Sequence, residues 1–260
     1  MTSTEPSTPR QALGVDVGGS GVKGALVDLD TGRLIGERFR LDTPQPATPE
    51  AVTAAVAAVV AHFGCDGPLG VTYPGVVVDG VVQTAANVDR DWIGVNAAEA
   101  YSKAMGGRQV TVLNDADAAG LAEQHYGAGR NRSGVVVLLT FGTGIGSAVI
   151  HNGMLLPNTE FGHLFFYEDI AEKYVSDSAR KRDNLSWNDW GMRFDKFLHH
   201  LGRLFSPDLV ILSGGASKQF DSYKDLFTVD FEVVPSMMLN HAGSIGAAYY
   251  AWQSVHSKSI

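Results

Sequence analysis

Cysteine is almost absent from this chain of 260 residues. Cys65 is the only one, so the chain cannot form an internal disulfide or a zinc site built from several cysteines. Proteins of reducing compartments typically have this composition, and we therefore expect a cytoplasmic location.

Long apolar runs and an excess of positive charge are also lacking. The longest Ala/Val stretch, Ala51–Ala61, is shorter than the ~20 residues that a membrane-spanning helix requires. Twenty Lys and Arg against 28 Asp and Glu give a net charge of −8, whereas domains that bind nucleic acid are usually basic. Residues 1–11 are rich in Ser, Thr and Pro without an apolar segment, which predicts a disordered tail and no signal peptide. We expect neither a membrane nor a nucleic acid as a partner.

Glycine, by contrast, is in excess. The chain has 30 glycines, well above the average usage of ~7%. They follow no collagen period, and they are not accompanied by the Pro and Ser enrichment of a flexible linker. We therefore expect glycine to be required at particular positions.

Hydrophobic periodicity predicts an α/β protein. The predicted strands are residues 12–17, 21–28, 34–41, 69–73, 109–113, 134–140, 147–150 and 209–213, and the predicted helices are 49–63, 116–126, 187–204 and 242–252. A strand, a glycine-rich turn and a second strand occur twice, about 125 residues apart, which suggests a duplicated plan. We predict an N-terminal lobe over residues 12–115, a C-terminal lobe over 116–241, and a C-terminal helix, about 242–256, that packs back on the first lobe. Two unrelated hairpins are the alternative.

The first glycine-rich turn has a specific chemistry. It lacks the Gly-Lys-Ser/Thr of a Walker loop, and a strand follows it where a dinucleotide-binding fingerprint would have a helix. Because glycine has no Cβ atom, backbone N–H groups can approach an anion, as in a nest. We expect the Asp16 carboxylate to hold Mg²⁺ through water and the Lys23 ammonium to face phosphate. The predicted donor-binding residues here are Asp16, Gly18, Gly19, Ser20, Gly21 and Lys23.

Two further loops have the same character. The second turn adds threonine hydroxyls, and its predicted donor-binding residues are Thr140, Gly142, Thr143 and Gly144. The third loop follows strand 209–213 and is predicted to begin a helix, which would direct backbone N–H groups at a phosphate; its residues are Gly214, Gly215 and Lys218. A plain connection explains each loop equally well by itself. Together they predict a phosphoryl-transfer cleft between two lobes.

Five stretches of the sequence carry a resemblance to a known family. They are DVGGSGVKGALVDL (16–29), LNDADAAGLAE (113–123), LTFGTGIGSAVI (139–150), NTEFGH (158–163) and HAGSIGAAYYA (241–251). In this order they resemble the ROK (repressor, open reading frame, kinase) family of sugar kinases across residues 12–252. Segments 70–94, 111–123 and 136–153 look most like the polyphosphate glucokinases and glucomannokinases within it. The resemblance implies an actin-like, ribonuclease-H-like two-lobe fold, a homodimer, and phosphorylation of a hexose at its 6-hydroxyl.

The pair Asn114-Asp115 lies where a predicted strand ends and a helix begins. By position alone, these residues are helix caps. The resemblance implies instead that Asn114 holds a sugar hydroxyl and that Asp115 is the catalytic base for the 6-hydroxyl proton. It also implies that Glu160 and His163 bind sugar hydroxyls, although a structural imidazole is the alternative for His163.

The segment after His163 departs from the family pattern. Most members have a Cys-rich zinc loop there, followed by a glutamate in a segment like Glu-Ala-Tyr-Ala-Ser. Residues 164–171 contain no cysteine, so we expect no structural zinc. Residues 172–176, Glu-Lys-Tyr-Val-Ser, still resemble the downstream segment. We therefore expect a shortened loop that is held by packing, and a sugar contact for Glu172. The alternative is that Glu172 is a solvated helix residue. The predicted sugar-binding residues are Pro74, Gly75, Asn87, Asn114, Asp115, Glu160, His163 and Glu172.

The phosphate donor is harder to predict. ATP needs an apolar slot for adenine near residues 214–218, whereas polyphosphate needs a basic groove. Candidates for that groove are Lys23, Arg130, Arg132, Arg180, Lys181, Arg182 and Lys218, although charge runs are usually solvated. The resemblance implies polyphosphate as donor, glucose as acceptor and Mg²⁺ as cofactor, and it leaves ATP open as a second or sole donor and mannose as a second acceptor.

A sugar-sensing repressor is the rival from another class, because the family contains such proteins. They carry an N-terminal helix-turn-helix, and about eleven residues precede the first predicted strand here. We therefore expect no DNA-binding segment and a catalytic protein.

Overall fold

The structure is a computed structural model that describes residues 10–256. It contains two compact units, the first made of the described residues up to Ala118 and from Gly243 onward, the second of Ala119–Ala242. The division thus falls after Ala118, whereas the sequence placed it after Asp115. Of the predicted disordered tail, residues 1–9 lie outside the described residues. Inclusion of Gln11 in the tail was wrong, because Gln11 is paired with Asp28 in the first sheet.

The first unit is built on a five-stranded sheet in the order β3-β2-β1-β4-β7. β1, β2 and β3 are antiparallel neighbours, and β4 and β7 run parallel to β1. In chain order the unit comprises β1 (Gln11–Gly18), β2 (Gly21–Asp28), β3 (Arg33–Leu41), α1 (Pro49–Phe63), β4 (Leu69–Tyr73), β5 (Val77–Val78), β6 (Val81–Val82), α2 (Ala97–Ala104), β7 (Thr111–Asn114) and the start of α3 (Asp115–Tyr126).

Helix α1 has the bounds that the sequence predicted, for local reasons. The Ala51 amide donates to the Thr48 hydroxyl at 3.3 Å, and Pro49 occupies the first turn, where a missing N–H costs nothing. The helix ends at Gly64, whose φ of 55° is left-handed. Its valines are buried against the sheet, so a standard cap, a standard stop and one apolar face specify the element.

The second unit repeats the sheet plan in the order β10-β9-β8-β13-β14. Three antiparallel strands are again followed by two strands parallel to the first of them. The duplicated plan predicted from the sequence is therefore confirmed. The unit comprises β8 (Val135–Phe141), β9 (Ile145–His151), β10 (Met154–Leu156), β11 (Phe165–Phe166), β12 (Asp169–Ile170), α4 (Ala171–Val175), α5 (Asp177–Arg182), α6 (Trp187–Phe205), β13 (Leu209–Gly214) and β14 (Glu232–Pro235).

Helix α6 is the main helix of the second core. The Asp189 amide donates to the Ser186 hydroxyl at 3.1 Å, and the helix ends at Ser206 with a left-handed φ of 44°. Its apolar face is fully buried and packs under β8, where the Phe141 ring meets the Trp190 and Phe194 rings edge to face. The predicted helix 187–204 is confirmed with one residue added.

Helix α7 (Ala242–His256) lies with its backbone directly against the first sheet. A Cβ atom placed on Gly14 would lie 1.8 Å from the Ser244 carbonyl oxygen, and one on Gly70 would lie 1.9 Å from that of Ala247. Only glycine permits this approach of helix to strand. Part of the glycine excess is explained by this packing.

The third loop differs from its prediction. The segment Ala216–Ser222 after β13 is a 3₁₀ helix interrupted at Gln219, not the α-helix that we expected. A short, broken turn aligns few peptide dipoles. The prediction that an α-helix begins here and directs its N-terminus at a phosphate is therefore wrong. The other 3₁₀ segments are Arg90–Trp92, Phe161–His163, Lys224–Leu226 and Leu239–His241. Across residues 10–256, no helix combines the length and apolar character needed to cross a membrane.

Candidate functional site

In the first unit, the predicted residues gather at the carboxyl edge of the sheet. Strands β1, β4 and β7 are parallel neighbours, and Tyr73 pairs with Asn114 at the ends of β4 and β7. Asp16 lies near the end of β1, and Pro74 and Asp115 follow β4 and β7 directly. The carboxyl edge of a parallel sheet is where ligands of α/β proteins usually bind.

Asn114 is the residue that caps α3. Its side-chain oxygen accepts hydrogen bonds from the Ala116 amide at 2.8 Å and the Asp117 amide at 3.1 Å. Its Nδ2 donates to the Gly75 carbonyl at 3.0 Å, and the residue is 6% exposed. The cap interpretation therefore holds for Asn114, while one of the two Nδ2 hydrogens remains outside these bonds.

Asp115 is half-buried at the first position of α3. Its Oδ1 also accepts the Ala116 amide, at 2.8 Å. Because the Asn114 side chain already caps the helix, the Asp115 carboxylate is not needed for that purpose. The geometry thus favours another role for Asp115.

The loop after β4 is tightly built around Gly75. The Gly75 amide donates to the Tyr73 carbonyl at 2.9 Å, and the Thr84 hydroxyl accepts the Val76 amide at 2.9 Å. A Cβ on Gly75 would lie 2.7 Å from the Thr84 carbonyl oxygen. The exposed Asn87 belongs to the same region, and its carbonyl oxygen is 4.0 Å from the position of a Cβ on Gly19. The loop 74–87 therefore reaches the first glycine-rich turn.

Asp16 and Lys23 form an ion pair in the first turn. They are opposite each other in the β1–β2 ladder, and Lys23 Nζ lies 3.3 Å from Asp16 Oδ2. The Thr72 hydroxyl donates to Asp16 Oδ1 at 3.1 Å and accepts the Val17 amide at 2.9 Å. The carboxylate is thus held in place from two sides. The Lys23 ammonium thus contacts Asp16, and its predicted contact with phosphate stays a prediction.

The residues around Asp16 fit a magnesium ion held largely by water. Among residues 10–256, no group of three or more His, Cys, Asp or Glu side chains has an arrangement that could hold a metal ion. Mg²⁺ retains several waters and is usually bound through one or two carboxylates together with substrate phosphates. A single, fixed, partly exposed carboxylate beside a glycine-rich turn fits that chemistry.

The two glycine-rich turns are not nests of alternating handedness. None of Gly18, Gly19, Gly21, Gly142 and Gly144 has a φ in the left-handed region, which such a nest requires. Successive N–H groups in a turn conformation can also bind an anion, so anion binding by these turns stays a prediction. The turns are nevertheless open to a ligand, because Gly19 and Ser20 are exposed and a Cβ on Gly142 would meet nothing within 4 Å.

In the second turn, Glu172 lies over Gly144. A Cβ on Gly144 would be 2.3 Å from Glu172 Oε2, and the Ile145 amide donates to the same oxygen at 3.4 Å. Glu172 is therefore not the solvated helix residue of the alternative interpretation. Thr143 is exposed at the tip of this turn and Thr140 is half-buried in β8.

The third loop packs beside the second turn. The Gly215 amide donates to the Phe141 carbonyl at 3.0 Å, and a Cβ on Gly214, whose φ is +81°, would lie 2.3 Å from that oxygen. The Ser178 amide of α5 donates to the Gly142 carbonyl at 3.2 Å. Two predicted donor loops and the start of α5 are thus brought together. Lys218 is exposed on the segment after them.

Glu160 and His163 form the predicted pair. His163 Nδ1 lies 3.2 Å from Glu160 Oε2 across the short 3₁₀ turn. Burial raises the pKa of the Glu160 carboxyl above its usual 4.5; the nearby His163 opposes that rise, and the negative charge of Glu172 adds to it. The structure therefore brings Glu160, His163 and Glu172 into one electrostatic group beside the second turn.

Most basic candidates for a polyphosphate groove are neutralised by neighbours. Ion pairs join Arg132 to Glu232, Arg180 and Lys181 to Asp177, and Arg182 to Asp183. Arg180 also stacks on Trp187, with its guanidinium carbon 4.1 Å from the ring centroid. An acidic partner reduces the net positive charge that each of these residues offers to a polyanion, and the predicted basic groove stays a prediction.

Two residues of the site region were missed from the sequence. Thr72 holds Asp16, and Asp177 lies beside Gly215, whose Cβ position is 3.9 Å from Asp177 Oδ2. Thr72 had a detectable signal, since it is the one aliphatic hydroxyl residue in the apolar strand Leu69–Tyr73. For Asp177 the sequence carried no signal beyond an acidic residue in the first turn of a short helix.

Comparison with known proteins extends these observations. The chain is 54% identical over 256 residues to the polyphosphate glucokinase of Mycobacterium tuberculosis (strain CDC 1551 / Oshkosh), covering 95% of this chain and 97% of that protein. The crystal structure of inorganic polyphosphate/ATP-glucomannokinase from Arthrobacter sp. strain KM has a TM-score of 0.87 at 46% identity, covering 94% of this chain and 99% of the other.

A more distant structure agrees in fold alone. A ROK family glucokinase from Streptomyces griseus has a TM-score of 0.78 at 24% identity, covering 94% of this chain and 100% of the other. The predicted α/β fold, the two-lobe actin-like fold of sugar kinases, is confirmed by these likenesses. The ROK family profile matches residues 12–171, more than half of the chain, and the protein belongs to the ROK family.

Proposed function

We propose that this protein is a polyphosphate glucokinase, which transfers a phosphoryl group from inorganic polyphosphate to the 6-hydroxyl of glucose. The observation that carries the proposal is the 54% identity to a polyphosphate glucokinase along 95% of the chain. The arrangement of the described residues supports it, because each unit presents a glycine-rich turn and the first unit also presents a carboxylate at the end of β7.

Asp115 is the proposed catalytic base. The oxygen of the 6-hydroxyl bonds to the terminal phosphorus as the bond from that phosphorus to the bridging oxygen breaks. The hydroxyl proton passes to the Asp115 carboxylate. The polyphosphate, now shorter by one phosphate, leaves with the electron pair of the broken bond on its bridging oxygen. Asp115 suits this role because the helix cap is supplied by Asn114.

The proposed sugar ligands are eight residues. Glucose hydroxyls would exchange hydrogen bonds with polar side chains that their own neighbours hold in place. Asn114 is held by the Gly75 carbonyl, and Glu160 is held by His163. Such preorganisation reduces the entropy lost on binding. The proposed sugar-binding residues are Pro74, Gly75, Asn87, Asn114, Asp115, Glu160, His163 and Glu172.

The donor phosphates are proposed to bind the glycine-rich loops. The open faces of the turns allow close approach of backbone N–H groups to phosphate oxygens, and Asp16 would hold Mg²⁺ through water. Mg²⁺, when bound, neutralises charge on the phosphates. The proposed donor residues are Asp16, Gly18, Gly19, Ser20, Gly21, Lys23, Thr140, Gly142, Thr143, Gly144, Gly214, Gly215 and Lys218.

ATP is a second candidate donor. The Arthrobacter protein with a TM-score of 0.87 is named a polyphosphate/ATP-glucomannokinase, which supports ATP beside polyphosphate and mannose beside glucose. We also propose a homodimer, from the family resemblance, and a cytoplasmic location, from the single cysteine.

A coupled assay for glucose 6-phosphate tests the function, with polyphosphate and ATP supplied separately as the only donor. We expect product with polyphosphate and glucose in the presence of Mg²⁺, and a smaller or comparable rate with ATP. Product from ATP alone would replace the proposal by an ATP-dependent glucokinase. A protein that binds glucose but forms no product from either donor would support a sugar sensor.

A further inference from the structure

One face of α6 carries four basic side chains that the proposed reaction does not use. Lys196, His199, His200 and Arg203 are spaced at i, i+3, i+4 and i+7, which places them on the same side of the helix. The intervening Phe197, Leu198 and Leu201 are fully buried in the core. We call these four residues the α6 basic face.

The hairpin β11–β12 forms a pocket over the α6 basic face. This pocket, of about 540 Å³, is lined by the four basic residues together with Phe165, Phe166 and Tyr167, and by no acidic residue. The buried Phe166 ring packs on the ring of His200, with centroids 5.3 Å apart. Phe165 and Tyr167 are 70% and 57% exposed at its rim. An apolar wall beside cations strengthens their attraction for an anion by excluding water.

The cations of this face are not neutralised, unlike most others in the second unit. Neither Lys196 nor Arg203 forms an ion pair with any acidic side chain of the described chain. The nearest acid on α6, Asp195, accepts the Thr228 amide at 2.7 Å and the Thr228 hydroxyl at 2.9 Å, and lies 3.8 Å from His199 Nε2. In a chain with a net charge of −8, unpaired positive charge in a pocket is a binding feature.

The basic face continues into a second pocket. This one, of about 370 Å³, shares His199 and Arg203 with the first; its remaining lining residues are Gly202, Ser206, Pro207, Val229, Asp230 and Phe231. From Lys196 to Arg203 the helix rises about 10 Å. The second pocket adds no cation and includes the acidic Asp230, so the repeated positive charge lies along the α6 basic face itself. Charges repeated along one helix face match a linear polyanion, whose charges are also repeated, better than a compact ligand with charge at one end.

We propose that the α6 basic face is an auxiliary binding site for the inorganic polyphosphate chain, separate from the glycine-rich loops that take its reacting end. The site rests on the proposed function, since it assumes that polyphosphate is the donor. Its role is to hold distal phosphates, so that a chain long enough to reach both places dissociates more slowly than a short one.

The test compares donors of different length on matched variants. Lys196→Ala/Arg203→Ala removes two unpaired cations from the groove. Lys103→Ala/Arg33→Ala removes two exposed cations from the first unit and changes the net charge equally. For each protein, KM and kcat are measured with long-chain polyphosphate, tripolyphosphate and ATP, and long-chain polyphosphate is titrated calorimetrically without glucose. All four substituted positions are exposed, so thermal unfolding should be unchanged.

We expect Lys196→Ala/Arg203→Ala to raise KM for long-chain polyphosphate by about tenfold, with kcat and the KM values for tripolyphosphate, ATP and glucose unchanged. The calorimetric Kd should rise in parallel. An equal change in the control variant, or no change in either, would overturn the site. A rise in KM for ATP alone would assign the pocket to a nucleotide instead. If the wild-type protein forms no product from polyphosphate, the proposed function fails, and the calorimetric comparison alone decides whether the site exists.

Discussion

Gly144 is the residue at which the second glycine-rich turn meets the sugar-side carboxylates. Its missing side chain leaves room for Glu172 Oε2, which also accepts the Ile145 amide. Glu172 is in turn close enough to Glu160 to raise the pKa of that carboxyl, after the larger effect of burial. A contact between residues 28 positions apart thus joins two groups that the sequence presented separately.

Replacement of Gly144 by alanine should destabilise the protein, whereas replacement of Gly142 should not. The new methyl at position 144 would lie 2.3 Å from Glu172 Oε2, while at position 142 it would meet nothing within 4 Å. Because Glu172 Oε2 is the end of a flexible side chain that can turn away, we expect Gly144→Ala to cost only the hydrogen bond to the Ile145 amide, about 0.5–1.5 kcal/mol of the free energy of unfolding. We expect Gly142→Ala to change that free energy by less than about 0.5 kcal/mol. Urea denaturation of both variants measures this, and equal effects would contradict the packing described for Glu172.

Asp177 allows a prediction about pH. Burial opposes ionisation of its carboxyl, but hydrogen bonds from Lys181 and Arg180 outweigh burial and hold its pKa below the usual 3.8. A carboxyl whose pKa is lower in the folded than in the unfolded state stabilises the protein at pH values above its unfolded-state pKa. That contribution is lost as the pH falls through its folded-state pKa. Asp177→Asn should therefore be less stable than wild type at pH 7 by about 1–3 kcal/mol.

The difference between Asp177→Asn and wild type should persist down to about pH 4 and shrink below it. Urea denaturation at a series of pH values measures the difference. Asp42→Asn is the matched control, because Asp42 pairs with Arg40 at a side-chain exposure of 86%, where ion pairs contribute about 0–1 kcal/mol. A difference for Asp177→Asn that stays constant to pH 2 would show that its carboxylate charge is not what stabilises α5.

At the scale of elements, the segment after His163, where the resemblance led us to expect a shortened loop, is a small hairpin. β11 and β12 pair Phe165 with Ile170, and Phe166 packs edge to face on Phe197 of α6 and on Tyr174 of α4. Aromatic packing therefore connects this hairpin to the core. The same hairpin covers the α6 basic face, so its stability and the proposed auxiliary site are linked.

Phe166→Ala should destabilise the protein by about 3 kcal/mol, because it removes a buried ring from the second core. Phe165→Ala, one residue away and 70% exposed, should change stability by less than about 0.5 kcal/mol. Thermal and urea unfolding measure both. If packing holds the hairpin, a chelator will leave the unfolding temperature of the wild type unchanged; a large decrease would indicate a metal.

Local signals account for the elements that were predicted well. α1 has a threonine cap, a proline in its first turn and a glycine stop, and its bounds were predicted to the residue. α2, α5 and the hairpin β11–β12 were not predicted, because helices of eight and six residues and strands of two residues each show too little of their period. The helix expected after β13 failed because the glycine-rich start permits several turn geometries, and packing of Gly214 on Phe141 selects a 3₁₀ segment.

The site was partly predictable for a similar reason. The position of Asn114 and Asp115 at a strand end follows from neighbouring residues alone, and the structure has them there. The ion pair of Asp16 with Lys23, the Thr72 contact and the approach of Glu172 to Gly144 depend on partners brought together by the fold. The catalytic and binding roles themselves stay predictions.

At the scale of the whole molecule, two sheets of the same plan each place a turn between their first two strands. The turn in the first sheet contains two residues, Gly19 and Ser20, and that in the second contains three, Gly142 to Gly144. The chain is acidic overall, and many of its cations are paired with acids. Binding of a polyanion by such a molecule depends on a few unpaired cations and on backbone N–H groups.

The central claim is that Asp115 takes the proton of the glucose 6-hydroxyl during transfer from polyphosphate. The most direct test is the turnover of Asp115→Asn with polyphosphate as the only donor, alongside calorimetric binding of glucose. Asparagine keeps an oxygen for the Ala116 amide, so the start of α3 should be preserved. We predict a fall in kcat of about 10²–10⁴-fold with glucose binding retained. Turnover within about tenfold of wild type would contradict the assigned role, since a general base contributes more than that.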